Sequence, residues 1–229
     1  ALLALIAMVA TGAAGGPLDP PGSPGPTMKS LDQVEPRTPI SALPYVISQP
    51  GSYYATGNLT GVAGQHGIQI LAAGVEGDLA GFELIGGPGA LDGIRVGGAA
   101  YGARIRRGTV RNWPSTGIYG QSVGVAISDV SAVQNGGTGI LIYYGVLENC
   151  TAVQNGSVGI DARYSVVSRC TAVLNSGGGF SVTDSQLLDC DASGNTLDGL
   201  TASGSTVDRC RASGNSDDGM VAYFGSIIS

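Results

Sequence analysis

A 20-residue period runs without a gap from Gly139 to the end of the chain. Segments that begin at Gly139, Gly159, Gly179 and Gly199 read GILIYYGVLENCTAVQNGSV, GIDARYSVVSRCTAVLNSGG, GFSVTDSQLLDCDASGNTLD and GLTASGSTVDRCRASGNSDD, and a partial fifth, GMVAYFGSIIS, follows. Turns that begin at Gly67, Gly93 and Gly117 are looser, with lengths of 26, 24 and 22 residues. A unit this short cannot bury its apolar face alone, so the repeats must stack on one another.

Each column of the repeat has a physical reading. After the glycine comes a large apolar residue (Ile118, Ile140, Ile160, Phe180, Leu200, Met220), and two positions on an apolar or small one (Ile142, Ala162, Val182, Ala202, Ala222). That alternation is a short strand with one buried face. A second apolar column (Leu147, Val167, Leu187, Val207, Ile227) and a column of alanine (Ala132, Ala152, Ala172, Ala192, Ala212) mark two further strands. Three short strands per coil with no helix between them exclude a leucine-rich horseshoe. They predict an all-β fold, a right-handed parallel β-helix of roughly eight coils stacked at about 4.8 Å.

Two polar columns run beside the apolar ones. Asn135, Asn155, Asn175, Asn195 and Asn215 predict a ladder of side-chain amides at one corner. Cys150, Cys170, Cys190 and Cys210 form the other. Stacking holds their Cβ atoms about 4.8 Å apart with parallel vectors, longer than the about 3.8 Å of a disulfide, and four thiols in a line do not converge on zinc. The expectation is a column of free, buried thiols acting as small apolar residues, with paired disulfides as the alternative.

Composition narrows the function classes. Glycine supplies 39 of 229 residues but without a Gly-X-Y period, which excludes collagen. With 43% hydrophobic and 12% charged residues the chain can form a core. A net charge of −6 argues against a nucleic-acid partner, which needs a basic face. His66 is the only histidine, so no metal site with two histidines can form.

Residues 1–14, ALLALIAMVATGAA, are too short an apolar run to span a membrane, which takes about 20 residues, and match the h-region of a signal peptide. Residues 15–44 read as a Pro/Gly-rich linker, 45–60 as an N-terminal cap and 61–229 as the β-helix. The compartment implied is secreted or cell-surface, with no transmembrane segment. Ser229 falls in the column of Asn149, Arg169, Asp189 and Arg209, and no capping element precedes it. The expectation is that the natural protein continues and that this chain self-associates through its last coil.

The stretch PISALPYVISQPGSYYATGNLTG (39–61), then GIQI, GDLAGFELIGGPG (77–89) and ARIRRGTVRNW (103–113), resembles bacterial right-handed parallel β-helix repeat proteins of the pectin-lyase-like superfamily. The resemblance covers about residues 27–229. It implies a secreted protein and a superfamily that includes pectate lyases, polygalacturonases, uronan epimerases and phage tailspikes, a range across which fold does not carry function.

The polygalacturonase pattern is missing: Asn195-Thr196-Leu197 lacks its aspartate, and His66 lies in an early coil. Asp198 and Asp218 share a column beside Asp217, an acidic cluster that reads as turn chemistry, with a Ca2+ site or a catalytic pair as alternatives. The outward positions of the first strand bring Tyr119, Tyr143, Tyr144, Asp161, Arg163 and Tyr164 into one aromatic and charged strip. Such a strip can stack sugars and fork carboxylates, or it is a solvated face on which Asp161 pairs with Arg163. Arg104, Arg106, Arg107 and Arg111 form the basic cluster. Asp189 with Arg209, and Asp191 with Arg211, align as cross-strand pairs. The function that best fits is a non-catalytic secreted or cell-surface β-helix that binds polysaccharide, without a cofactor. The alternatives are a polysaccharide lyase, glycoside hydrolase or uronan epimerase, and a scaffold or tail-like module.

Overall fold

The computed structural model describes residues 37–228 of the chain, so the apolar start and most of the proline-rich segment lie outside the described residues. Residues 37 onward form an all-β solenoid in which every strand pair is parallel. Nine first strands, one per coil, make one sheet, and the second and third strands make a sixteen-stranded sheet around the rest of the coil. A representative coil consists of Ile140–Tyr143, Val146–Glu148 and Thr151–Val153. Each pairs with its equivalent 20 residues on: Ile140 opposite Ile160, Leu147 opposite Val167, Ala152 opposite Ala172. The longer early turns keep the same register, Ile68 opposite Ile94, Ile94 opposite Ile118 and Ile118 opposite Ile140. Their extra residues are therefore taken up between strands.

Two boundaries differ from the sequence reading. The ladder starts earlier, inside the segment assigned to linker and cap: Thr38–Ile40 pairs with Tyr53–Ala55, and Tyr45–Ile47 with Ile68–Ile70. This makes nine coils rather than eight. Prolines hid the first coil, yet Pro39 sits on an edge strand, where a missing N–H is tolerated. The last coil carries one extra residue. Thr206 pairs with Ile227 and Val207 with Ile228, so Ile227 does not belong to the Leu147 column; the column expected for Ser229 lies outside the described residues.

Inward side chains fill the axis. Ile118, Ile140, Ile142, Ile160, Leu147 and Val167 are fully buried, as is Trp113, whose indole N–H donates to the Leu84 carbonyl at 3.0 Å. Glycine makes the socket for that ring: a Cβ on Gly61 or Gly67 would lie 2.4 or 2.6 Å from it. In the regular coils the leading glycine is needed for another close approach. A Cβ on Gly159 would fall 2.6 Å from Asn175 Nδ2 and 2.8 Å from the Gly179 carbonyl.

Each regular coil turns at three residues in the left-handed region. In one coil these are Tyr144, Asn149 and Gln154, in the next Tyr164, Arg169 and Leu174, with φ between 51° and 56°. The residue after each corner points both its side chain and its N–H inward, where no strand partner is available. The same residue of the following coil accepts that N–H with its side chain. Asn155 N–H donates to Asn175 Oδ1 at 3.0 Å, Ser165 N–H to Ser185 Oγ at 3.0 Å, and Cys150 N–H to Cys170 Sγ at 3.4 Å. The cysteines are thus hydrogen-bond acceptors and not only small apolar residues, which corrects the sequence reading. All four are free thiols. Cys170 Sγ also lies 3.2 Å from the Ser168 carbonyl. Hydrogen bonding along the column, led by Cys150 for Cys170 and by Cys170 for Cys190, pushes both thiols up to about 12, so they stay protonated at neutral pH.

Two expected outcomes follow. Cys170→Ala removes the acceptor of a buried N–H and should cost about 1–3 kcal/mol in chemical denaturation, whereas Cys170→Ser keeps an acceptor, as the serine column does, and should cost less than half as much. Equal losses would show that only volume matters. Leu174, 53% exposed, holds a left-handed corner that Gly194 and Gly214 occupy in the next coils. Leu174→Asn should therefore stabilise the protein by about 0.5–1 kcal/mol, read as a rise in Tm.

Candidate functional site

The outward face of the nine-stranded sheet carries a continuous run of rings and guanidinium groups. Register sets it: Arg95 lies opposite Tyr119, Leu141 opposite Asp161, and Tyr143 opposite Arg163. Arg95 stands 4.7 Å over the Tyr119 ring, Tyr119 and Tyr143 have centroids 6.5 Å apart, and Arg163 stands 5.4 Å from the Tyr143 centroid. Asp161 accepts from Arg163 at 3.0 and 3.2 Å and closes that end, and this hydrogen bonding, with the carboxylate's charge, raises the guanidinium pKa. Beyond it the face continues with Ser181, Thr183, Thr201 and Ser203.

The other end is a cluster that sequence reasoning missed. Buried Asp92 accepts from Arg95 at 2.9 Å, Ser115 Oγ at 2.7 Å and Thr116 N–H at 3.2 Å. Its own N–H lies 3.2 Å from His66 Nδ1, and its Oδ2 lies 3.3 Å from the same nitrogen. Burial pushes His66 below its ordinary pKa, Asp92 opposes the shift and Arg95 adds to it. The signal was present in the sequence. His66 precedes Gly67 and Asp92 precedes Gly93, the same column that holds Asp198 and Asp218.

Of the six residues expected in one strip, Tyr119, Tyr143, Asp161 and Arg163 share the sheet face. Tyr144 and Tyr164 do not. The strand ends at Tyr143, and the left-handed corner turns the next residue off the sheet. These two tyrosines stack on each other instead, with centroids 4.8 Å apart and planes 6° apart. Beside Tyr164 an open groove of about 370 Å3 runs past Ser165, Val166, Asp184, Ser185, Gln186, Gly204 and Thr206.

Asp198, Asp217 and Asp218 come together, with carboxylate oxygens within 4.8 Å of one another. Asp198 serves the turn: it accepts from Asp218 N–H at 3.2 Å and from the Thr201 hydroxyl at 3.1 Å. The basic cluster is divided among carboxylates. Arg104 pairs with Glu76 and Arg111 with Glu83. Arg107, Arg37 at 3.2 Å and Arg106 at 3.7 Å surround buried Asp78. Burial works to raise that carboxyl, but the hydrogen bonds from Arg107 and the Ala80 N–H, with the field of Arg107 and Arg106, hold it below its ordinary value. This set fastens the first coil to the third. Arg209 pairs with Asp189 at 2.7 Å, whereas Asp191 and Arg211, directly opposite in the sheet, form no ion pair.

A family profile described as the right handed beta helix region matches residues 89–205. No curated protein matches the sequence. Among solved structures, the A-modules of the mannuronan C-5 epimerases AlgE4 and AlgE6 of Azotobacter vinelandii superpose with TM-scores of 0.65 and 0.69, at 16% and 17% identity. Each alignment covers 84% of this chain but 66% and 65% of the module, so the chain spans slightly under two thirds of their length. The Dettilon tailspike protein matches with a TM-score of 0.55 at 13% identity, over 84% of this chain and 54% of that one. At these identities the likeness is one of fold.

The single histidine gives a direct check of the Asp92 cluster. Its depressed pKa means that the unfolded chain binds a proton first as pH falls below about 6.5, so the folded state loses stability there. An NMR titration should place the His66 midpoint below 6.5. His66→Gln should flatten the fall of Tm between pH 7 and 5. A midpoint above 6.5 would instead show that the Asp92 charge dominates.

Proposed function

This chain belongs to the right-handed β-helix family, and from that premise we propose that it binds polysaccharide outside the cytoplasm through the outward face of its nine-stranded sheet. The observation that carries this reading is the unbroken sequence Arg95, Tyr119, Tyr143, Arg163, Asp161 on that face, with buried Asp92 holding Arg95 at its end. Successive coils are about 4.8 Å apart, comparable to one sugar unit of an extended chain. Rings on neighbouring coils can therefore stack successive units while the held guanidinium groups donate to hydroxyls or carboxylates between them. Fold neighbours named as mannuronan epimerases support a sugar partner. Among the described residues no helix is long and apolar enough to cross a membrane.

Binding rather than turnover fits the state of the candidate groups. Arg95 and Arg163 are each committed to a carboxylate, and the regular coils carry no loops to wall a cleft. Catalysis by a lyase, hydrolase or epimerase and a tail-like scaffold role are the competing proposals. Appearance of unsaturated or reducing ends from a uronan or neutral glycan panel would favour the first of these. Self-association through the last coil is held on the same footing, and a strictly monomeric species in concentrated sedimentation runs would remove it.

Tyr143→Ala combined with Arg163→Ala should weaken retention on a polysaccharide affinity gel about tenfold, the effect of losing one ring stack and one guanidinium contact, with little change in Tm. Equal retention by variant and parent rejects the strip. No cofactor enters this proposal, so EDTA should leave retention unchanged. Loss of retention in EDTA, restored by Ca2+, would bring Asp198, Asp217 and Asp218 into the site.

A further inference from the structure

We infer that the corner groove beside the stacked tyrosines is a second binding site, separate from the sheet face, and that it takes an uncharged sugar ring. The corner column reads Tyr144, Tyr164, Asp184, Gly204 and Phe224 on successive coils, all in the left-handed region. Tyr144 covers one face of the Tyr164 ring, and Tyr164 lines the groove while Tyr144 does not. One coil on, the Asp184 carboxylate lies across Gly204: a Cβ there would meet Asp184 Oδ1 at 2.5 Å. The absence of a side chain at Gly204 thus opens the groove, and it frees a carboxylate that has no donor or cation on it among the described residues. Gln186 and Thr206, both exposed on the adjoining strand positions, add an amide and a hydroxyl.

These groups select one ligand chemistry. The half-exposed tyrosine face offers a stacking platform held flat by its partner. A lone carboxylate is an acceptor only, suited to a pair of hydroxyl donors, and it repels a uronate. No guanidinium or ammonium lines the groove to offset it. A polyhydroxylated, uncharged ring satisfies all of these. A uronate or phosphate does not. Few polar groups around one aromatic face is also the ordinary make-up of a small-molecule site.

The test is an NMR titration of the full chain with a neutral mannan oligosaccharide and, separately, with an oligogalacturonate of equal length. The neutral probe should shift the Tyr164 ring and the Thr206 amide. Asp184→Asn, which suits the left-handed corner and so keeps the fold, should weaken that binding at least fivefold. Gly204→Asn, equally compatible with the backbone, fills the groove and should abolish it. The double variant Tyr143→Ala with Arg163→Ala should bind at the groove as the parent does, which separates this site from the sheet face. Oligogalacturonate should shift neither signal in the parent. Unchanged neutral binding in Gly204→Asn or Asp184→Asn, groove binding of oligogalacturonate as tight as that of the neutral probe, or no shift at Tyr164 and Thr206 at any concentration reached would each overturn the inference.

Discussion

The inward N–H after each left-handed corner is the constraint on which this solenoid depends. It is buried, no strand partner can reach it, and leaving it unpaired costs about 1–3 kcal/mol at every corner. Side chains of the following coil accept it at three corners per turn, through asparagine, serine and cysteine. The acceptor must arrive in the same place on each coil, so the period cannot drift. A slip of one residue would break all three ladders at once, besides turning the buried face outward. The asparagine ladder does more than accept. Asn155 Nδ2 donates to Asn175 Oδ1 and to the Ala132 carbonyl, so each amide links three coils. Gly139 must lack a Cβ because the Asn155 amide lies where it would be, as the Asn175 amide does for Gly159. Two invariant columns of the repeat, glycine and asparagine, are thus one device.

The last coil shows how the constraint tolerates length changes. One residue is added after the corner at Phe224, yet Ser226 Oγ still accepts the Ser205 N–H at 3.2 Å. The ladder is restored at the cost of shifting the next strand by one. The same logic lets early coils of 26, 24 and 22 residues stack in register with those of 20. Extra residues enter at the turns and leave the paired positions untouched. At the start, where no regular ladder exists, a buried carboxylate takes over: Asp78 gathers Arg37, Arg106 and Arg107 and ties the first coil down.

Strand positions, the parallel stacking and the asparagine ladder were legible in the sequence because apolar periodicity reports burial. Corner conformation was not. Left-handed residues are usually glycine or asparagine, but here Tyr144, Gln154, Arg169 and Leu174 adopt it, held by the coils above and below. Alternation was therefore carried one residue too far, and Tyr144 and Tyr164 were placed on the sheet face with Tyr143. The Cys column was legible as free thiols, but not as acceptors, since that role depends on where the backbone N–H points. His66 and Asp92 were separable from background only by extending the pre-glycine column into the looser turns, where spacing changes from coil to coil.

An internal repeat also supplies its own comparison. Columns that hold one residue type across coils, the inward Asn, Cys and Ala, are set by packing and hydrogen bonding and leave nothing for a ligand. Columns that change from coil to coil are free of that demand. The sheet-face column passes through Arg95, Tyr119, Leu141, Asp161, Ser181 and Thr201, and the corner column through Tyr144, Tyr164, Asp184, Gly204 and Phe224. Neither succession is required by the fold, since any residue of suitable propensity satisfies an outward strand position, and a corner prefers glycine or asparagine to tyrosine or phenylalanine. Retaining bulky rings where the backbone disfavours them costs on the order of 1 kcal/mol each. Gln154, Arg169 and Leu174 carry the same cost at other corners, so the conformation is the solenoid's own; what sets this corner apart is that Tyr164, Asp184 and Gly204 line the groove. The repeat thus separates what holds the solenoid together from what it displays, and the displayed chemistry is aromatic, hydroxyl-rich and acidic at the corner while charge-balanced on the sheet.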